Sequence, residues 1–414
     1  MLFQKFTALN PIFYVILYTL IFFIPDSAYS DNIKMSAWIN IDTKQPSFNN
    51  LNRNEISQNA LGFHANKTFT NISSKLALGY SNKHNLSFDQ SYIQLKSKNK
   101  IFGIGKINRN WSFSPNTSLI LSNSARPSSS IYFLLDNKKK SQNGLFSWMG
   151  PWSFETFNSL LSNQNGIKNP MLLGIRVVIN PTHNFKFELT KSSQWGGNGY
   201  NKNLSALAAA IYGNTNESAN SNINQLAGFG FSFLSNSKNI NSRIYTQFIG
   251  EDESGNLPTC YMNLIGNELE FLPGTFFTKI GFEYVDTRIG STSNGHCGAN
   301  TAYNNNIYNY TNYDTVLGTA IDTEGKSLEI WASSKLSDRT DINYSIKRIT
   351  INDANWSNHR LSTNKQLGWL TNLEANWKIN SIEINSRLTY QDFSLDKAKI
   401  KDGISLKIST KYIF

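Results

Sequence analysis

The sequence predicts an all-β protein, a transmembrane antiparallel β-barrel of about eighteen strands with long loops at one end and short turns at the other. Three observations carry this. Apolar and polar residues alternate over stretches of about 10–13 residues, the period of a strand and the length that crosses a bilayer at a tilt. The connections between these stretches are tight and long in turn. The composition is also unusual for a soluble globule: aromatics are 13%, charged residues only 16%, and mean hydropathy is −0.36. A wall with one face to lipid and one to a wet lumen averages to such a value.

The elements follow from the amino terminus. Met1 to Asn10 carries one lysine and no acid, Ile12 to Ile24 is almost wholly apolar, and Ala28-Tyr29-Ser30 is a small-x-small site. This is the pattern of a secretory signal peptide over 1–30, cut before Asp31. The alternative, an uncleaved anchor, needs a span of about 20 residues. Residues 31–414 then form the barrel, with no linker-like shift in composition. Strand sequence begins near Lys34. Tight turns are expected at Asn71, Lys98–Lys100, Pro181–His183, Ser235–Ile240, Leu272–Gly274, Ser337–Arg339 and Asn380. Long loops are expected at 43–57, 113–128, 195–224, 251–260, 288–326, 352–365 and 394–403. Near 129–160 Ser, Lys and Gly interrupt the alternation, so sixteen strands is an open alternative to eighteen. An even count returns both ends to the short-turn, periplasmic side.

In lipid every backbone donor and acceptor must be paired internally, so a spanning sheet has to close. Glu374, Lys378, Glu383, Arg387 and Lys407 must then face inward. Trp369, Trp377, Tyr390 and Tyr412 fall on the lipid side near strand ends, where an aromatic girdle is expected. The chain stops inside the strand "ISLKISTKYIF". That strand should pair with the first, and Tyr412 and Phe414 should form the signal read by the barrel-insertion machinery.

The net charge of +11 raises nucleic acid, but no basic helix or recognition motif is present. Lipopolysaccharide or an acidic polysaccharide fits an exported chain better; a plain solvated surface fits equally. Cys260 and Cys297, one strand pair apart in an oxidising compartment, are expected to form a disulfide. No cofactor or metal is expected. His64, His84, His183, His296 and His359 have no metal-ligand spacing, and "GIG" at 103–105 and "GNG" at 197–199 lack a phosphate loop's strand–helix context. An enzyme is not expected; a hydrolase would need a His within reach of a nucleophile or an acid.

Two features suggest binding instead. Glu251, Asp252 and Glu253 in "GEDESG" suit hard oxygen ligation of Ca²⁺ or sugar hydroxyls, or simply solvent. Trp195, Tyr200, Tyr303, Tyr308, Tyr310, Tyr313 and Trp356 fall in the long loops. Such rings can stack on sugar C–H faces or can pack together and plug the barrel mouth.

Several stretches, in order, resemble the Wzi-type capsule assembly family. They are "NWSFSPNTSLILSNSARP" (110–127), "WMGPWSFETF" (148–157), "LLGIRV" (172–177), "QWGG" (194–197), "NQLAGF" (224–229), "GEDESGNLP" (250–258) and "EYVDT" (283–287). The resemblance covers about 100 to 330. It implies an eighteen-stranded barrel in the outer membrane of a Gram-negative bacterium. The resemblance implies a non-enzymatic surface lectin that holds and organises polysaccharide, with a monomer as the expected state. By position it implies glycan contacts at Arg126, Trp195, Glu251, Asp252 and Glu253, to which the loop rings Tyr200, Tyr303, Tyr308 and Trp356 are added. Expected partners are surface polysaccharide, outer-membrane lipid and lipopolysaccharide. The family usually carries a helical bundle before the barrel, and here none is expected, because strand sequence starts at Met35. The competing reading is a diffusion pore for small solutes.

Overall fold

The computed structural model describes residues 33–43, 59–81, 85–138, 144, 147–213, 222–254, 257–271, 278–291 and 297–414. The signal peptide expected over 1–30 lies outside the described residues, as do His84, His296 and the tight turn expected at Leu272–Gly274.

Alternation produces the strands it predicts. They are β1 (Lys34–Asp42), β2 (Ala60–Thr68), β3 (Ile72–Ser81), β4 (Tyr92–Ser97), β5 (Lys100–Gly105) and β6 (Ser129–Asn137). Then come β7 (Trp152–Leu160), β8 (Met171–Ile179), β9 (Phe185–Trp195), β10 (Asn224–Asn236), β11 (Ile240–Ser254) and β12 (Leu257–Phe271). The last six are β13 (Lys279–Asp286), β14 (Lys326–Ser337), β15 (Thr340–Ile351), β16 (Gln366–Ile379), β17 (Ile382–Gln391) and β18 (Gly403–Ile413). Each is antiparallel to the next, and β18 returns to β1 from Ser36↔Ile413 to Asp42↔Lys407. The sheet is thus an eighteen-stranded closed barrel, and the count of sixteen is set aside because β6 and β7 both form and pair.

Two connections differ from expectation. The supposed long loop 251–260 is mostly strand: β11 and β12 stay paired at Asp252↔Thr259, Glu253↔Pro258 and Ser254↔Leu257. Its acids read as loop, yet the ladder continues past the bilayer into water, where charge costs nothing. Conversely, 138–151 is a long connection at the tight-turn end. The loop 196–223 holds a helix, α1 (Leu204–Tyr212). Ala and Leu favour it, the Asn203 side chain caps Ala206 N at 2.9 Å, and Gly213 ends it in the left-handed region at φ 87°.

The two faces of the wall separate as lipid demands. Leu367, Trp369, Leu373, Trp377, Leu388, Tyr390 and Tyr412 are exposed on the outside, an apolar belt too extensive for a water-facing surface. Charges point in and pair: Arg387 Nε to Glu374 Oε2 at 2.7 Å, Lys411 to Glu383 at 2.8 Å and Lys347 to Glu329 at 2.9 Å. Some bulky inward rings lie flat on a glycine across the ladder. Trp331 covers its register partner Gly281, where any Cβ would overlap the indole.

Candidate functional site at the long-loop mouth

The lumen is closed at its long-loop end by the chain's own segment 106–128. Trp111, Leu119 and Ile120 on it are fully buried. Most of its anchors come from half of the wall. Arg109 Nε and Trp111 Nε1 donate to Glu155 of β7 at 3.0 and 3.1 Å. Arg243 of β11 donates to Phe113 O at 2.9 Å, and Gln247 of β11 accepts from Leu119 N at 2.8 Å. Ser114 bonds Glu283 of β13, and Asn116 reaches Glu329 of β14. A buried backbone without a ladder needs such side-chain partners, so the Ser, Asn and Thr of "NWSFSPNTSLILSN" follow from its position.

The loop 287–325 lies over this plug. Tyr303 Oη donates to Leu119 O at 2.6 Å, and Tyr310 Oη donates to Ile120 O at 2.9 Å. Tyr308 Oη reaches Gly196 O at 2.7 Å. Burial pushes all three phenols well above their ordinary pKa, so they remain donors. A disulfide joins Cys260 of β12 to Cys297 of this loop. Arg360, in the loop 352–365, donates to Asp322 at 2.8 Å. Burial alone would raise the Asp322 carboxyl; Arg360 overrides it and holds the group below its usual value. His359 is buried, with Nε2 at 2.9 Å from Thr323 O and Nδ1 accepting from Leu361 N at 3.1 Å. Desolvation lowers its pKa, and both ring nitrogens are engaged by backbone rather than by a nucleophile.

The structure does not gather the sequence candidates into one open surface. Tyr303 and Tyr308 are fully buried packing of the plug, because their hydroxyls are needed by backbone carbonyls. Trp195 points outward and is covered by α1, with Nε1 on Asn158 Oδ1 at 3.2 Å. Arg126 is held by Asp89 at 2.7 Å, with the exposed Tyr313 ring 4.6 Å away. Tyr200 is half-buried against Tyr308. Trp356 is half-buried, and its backbone bonds the Asn352 side chain. Glu251 is buried beneath the rim. Asp252 and Glu253 follow it on β11, at the strand's outer tip.

A polar pocket of about 280 Å³ opens on this rim, between the end of α1, the tips of β10–β12 and the 300–305 turn. Glu251, Gln225, Lys191, Tyr212, Asn304 and Asn305 line it. Gln225 Nε2 is buried without a hydrogen-bond partner. Tyr212 is 85% exposed. Sequence reasoning found Glu251 but missed the others; "NQLAGF" was the available signal for Gln225, and nothing local marks Lys191 or Asn304. Among the described residues no group of three His, Cys, Asp or Glu side chains could hold a metal ion. A second cavity, of about 820 Å³, occupies the tight-turn half of the lumen. Its lining includes Trp38, His64, Lys75, Glu374, Arg387 and Lys411.

Fold and mouth together define a membrane-spanning barrel whose lumen is stoppered by its own loops and whose rim carries a small polar pocket. The sequence profile of the capsule assembly protein Wzi family matches residues 43–403. The chain belongs to that family, and its place is the outer membrane of a Gram-negative cell. Among solved structures it is similar to Wzi of Escherichia coli, described as an outer membrane protein involved in group 1 capsule assembly and a carbohydrate-binding β-barrel. That likeness has a TM-score of 0.77 at 21% identity and covers 92% of this chain and 85% of that one. The outer membrane protein OprD of Pseudomonas aeruginosa shares the fold more loosely, with a TM-score of 0.52 at 9% identity over 94% of this chain and 95% of that one. An uncharacterized 55.8 kDa protein in the cps region of Klebsiella pneumoniae is 27% identical over 190 residues. That alignment takes in 45% of this chain and 38% of the Klebsiella protein.

Proposed function

We propose that this barrel binds a capsular or other surface polysaccharide at its long-loop end and helps to attach or organise it on the cell. The rim pocket carries the reading. An acid, two kinds of amide, a lysine and an exposed tyrosine ring converge there, the groups that recognise sugar hydroxyls and sugar C–H faces. Its volume is that of a site for a single sugar unit rather than for a long stretch of chain. Asp252 and Glu253, carried on the same strand tip, extend the candidate surface, as does the pair formed by Arg126 of the 106–128 segment and Tyr313 of the 287–325 loop. Family membership and the carbohydrate-binding description of the Escherichia coli relative support the same reading. No catalytic step is assigned to the chain.

The experiment is deletion of the gene with cell-attached and shed polysaccharide measured separately. A shift from attached to shed is expected. Unchanged attachment, together with failure of the purified barrel to retain any bacterial surface polysaccharide on an array, would overturn the reading. The pore alternative makes the opposite forecast in planar bilayers. A lumen filled by 106–128 and the tyrosines above it should be silent, whereas a pore would conduct in steps.

A further inference from the structure

A groove of about 1060 Å³ runs down the outside of the barrel between α1 and strands β5–β8. Phe102, Ile131 and Phe133 on the wall face Leu207 and Ile211 on the helix. These wall residues belong to the lipid-facing set, as the exposure of Phe102 and Ile131 shows. The helix itself, "LSALAAAIY", has no charged residue. Ala206 and Ala210 pack on Met171, Leu173 and Trp195, while Leu204 remains more than four-fifths exposed. A helix with no charge and a predominantly apolar surface belongs in a core or in lipid. This one lies outside the barrel, so its open side meets lipid.

The groove is also polarised. Among the residues lining it, Lys202 is the one charged side chain, and no acid is present. Lys202 sits at the start of α1, on the long-loop side, where lipid headgroups lie. Its Nζ is exposed and has one neutral contact, Asn198 Oδ1 at 3.1 Å. An apolar slot with a single cation at its headgroup end is complementary to an acyl chain attached to an anionic head. The volume lies at the upper end of ordinary ligand pockets.

We propose that this groove is a lipid site: it holds an acyl chain of a phosphate-bearing anionic membrane lipid, and Lys202 meets the phosphate. The site is distinct from the rim pocket and does not depend on the glycan reading.

The test uses the full barrel in nanodiscs of equal phosphatidylglycerol and phosphatidylethanolamine, released for native mass spectrometry. Wild type is expected to retain phosphatidylglycerol in preference to phosphatidylethanolamine. Thr156→Trp, which fills the groove from the wall side, should lower retention at least tenfold. Lys202→Glu should abolish the preference and Lys202→Arg should keep it. Leu373→Trp, elsewhere on the lipid face, should change neither. If Thr156→Trp fails to give the heat-modifiable folded band, Ser129→Trp at the same groove replaces it. Loss of all lipid from wild type, or equal retention by the filled variant, would overturn the proposal. So would a lipid-free dimer, which would assign the groove to a second copy of the chain, or a preference that survives Lys202→Glu.

Discussion

Tyr303 and Tyr310 stack with ring centroids 5.8 Å apart and 12° between planes, and their hydroxyls bind the consecutive carbonyls of Leu119 and Ile120. Two rings from one loop thus grip two consecutive peptide units of another. Replacing Tyr303 with Phe leaves a buried carbonyl short of its donor. The expected cost is about 1–3 kcal/mol, read as a lower urea midpoint for loss of the folded, heat-modifiable band. Tyr310→Phe should cost less, because its hydroxyl is also shared with Ser192 at 2.6 Å and that serine can move to the carbonyl. Equal, negligible effects would mean that the grip contributes nothing to the plug.

The Cys260–Cys297 bridge ties the plug's cover to the tip of β12 across a separation of 37 residues. Its removal in a Cys260→Ala/Cys297→Ala variant should leave the barrel in place but free the cover. A bridge of this kind is worth about 2–4 kcal/mol. Limited proteolysis should show new cuts within 287–325 and none within the strands. A cleavage pattern identical to wild type would refute this.

Acid should loosen the same cover in two stages. His359 is held neutral in the fold with its pKa below 6.5. The unfolded chain therefore takes the proton first, so stability is complete above about pH 6.5 and declines as pH falls from there toward the lowered value. Asp322 behaves as a depressed carboxylate. Its contribution is complete above the ordinary aspartate range and is lost only as pH drops through its folded value. Hydrogen exchange of 352–365 should rise below about pH 6.5 in wild type. His359→Gln should remove the first stage and leave the second.

At the rim, Gln225→Ala and Glu251→Gln should each weaken retention of the cognate polysaccharide, by about tenfold for the acid, which corresponds to about 1.4 kcal/mol. Glycan-array binding of the folded variants reads this directly. Unaltered binding by both would move the glycan site away from this pocket.

Phe414 is 65% exposed beside Tyr412, ring centroids 4.9 Å apart, and its N–H bonds Met35 O at 3.0 Å. Deleting Phe414 or replacing it with Asp should lower the yield of inserted barrel, measured as the heat-modifiable band in outer-membrane fractions. Insertion at the wild-type level would argue against a terminal signal.

The strands were legible because two solvents impose a period of two on every residue between them. Leu373, Glu374, Ala375 and Asn376 on β16 state it as plainly in sequence as in space. The mouth was less legible. Tyr303 turns inward because of a carbonyl 184 residues away, and no local pattern announces such a partner. Trp195 misled for a related reason: a tryptophan before "GG" reads as loop, yet α1 folds back over it. The acids 251–253 misled in the other direction, since a strand that outgrows the bilayer acquires the composition of a turn.

Most of the plug's anchors run from Glu155 on β7 to Glu329 on β14, the half of the circumference facing away from the β1–β18 junction. The barrel is therefore two unequal arcs. One is a loaded arc, cross-braced through its interior by the 106–128 segment. The other arc borders the polar cavity lined by Lys75, Arg387 and Lys411 and is braced by ion pairs along its own strands. The stopper is carried mainly by the arc that faces away from the β1–β18 junction, with Arg126 tied to Asp89 outside it.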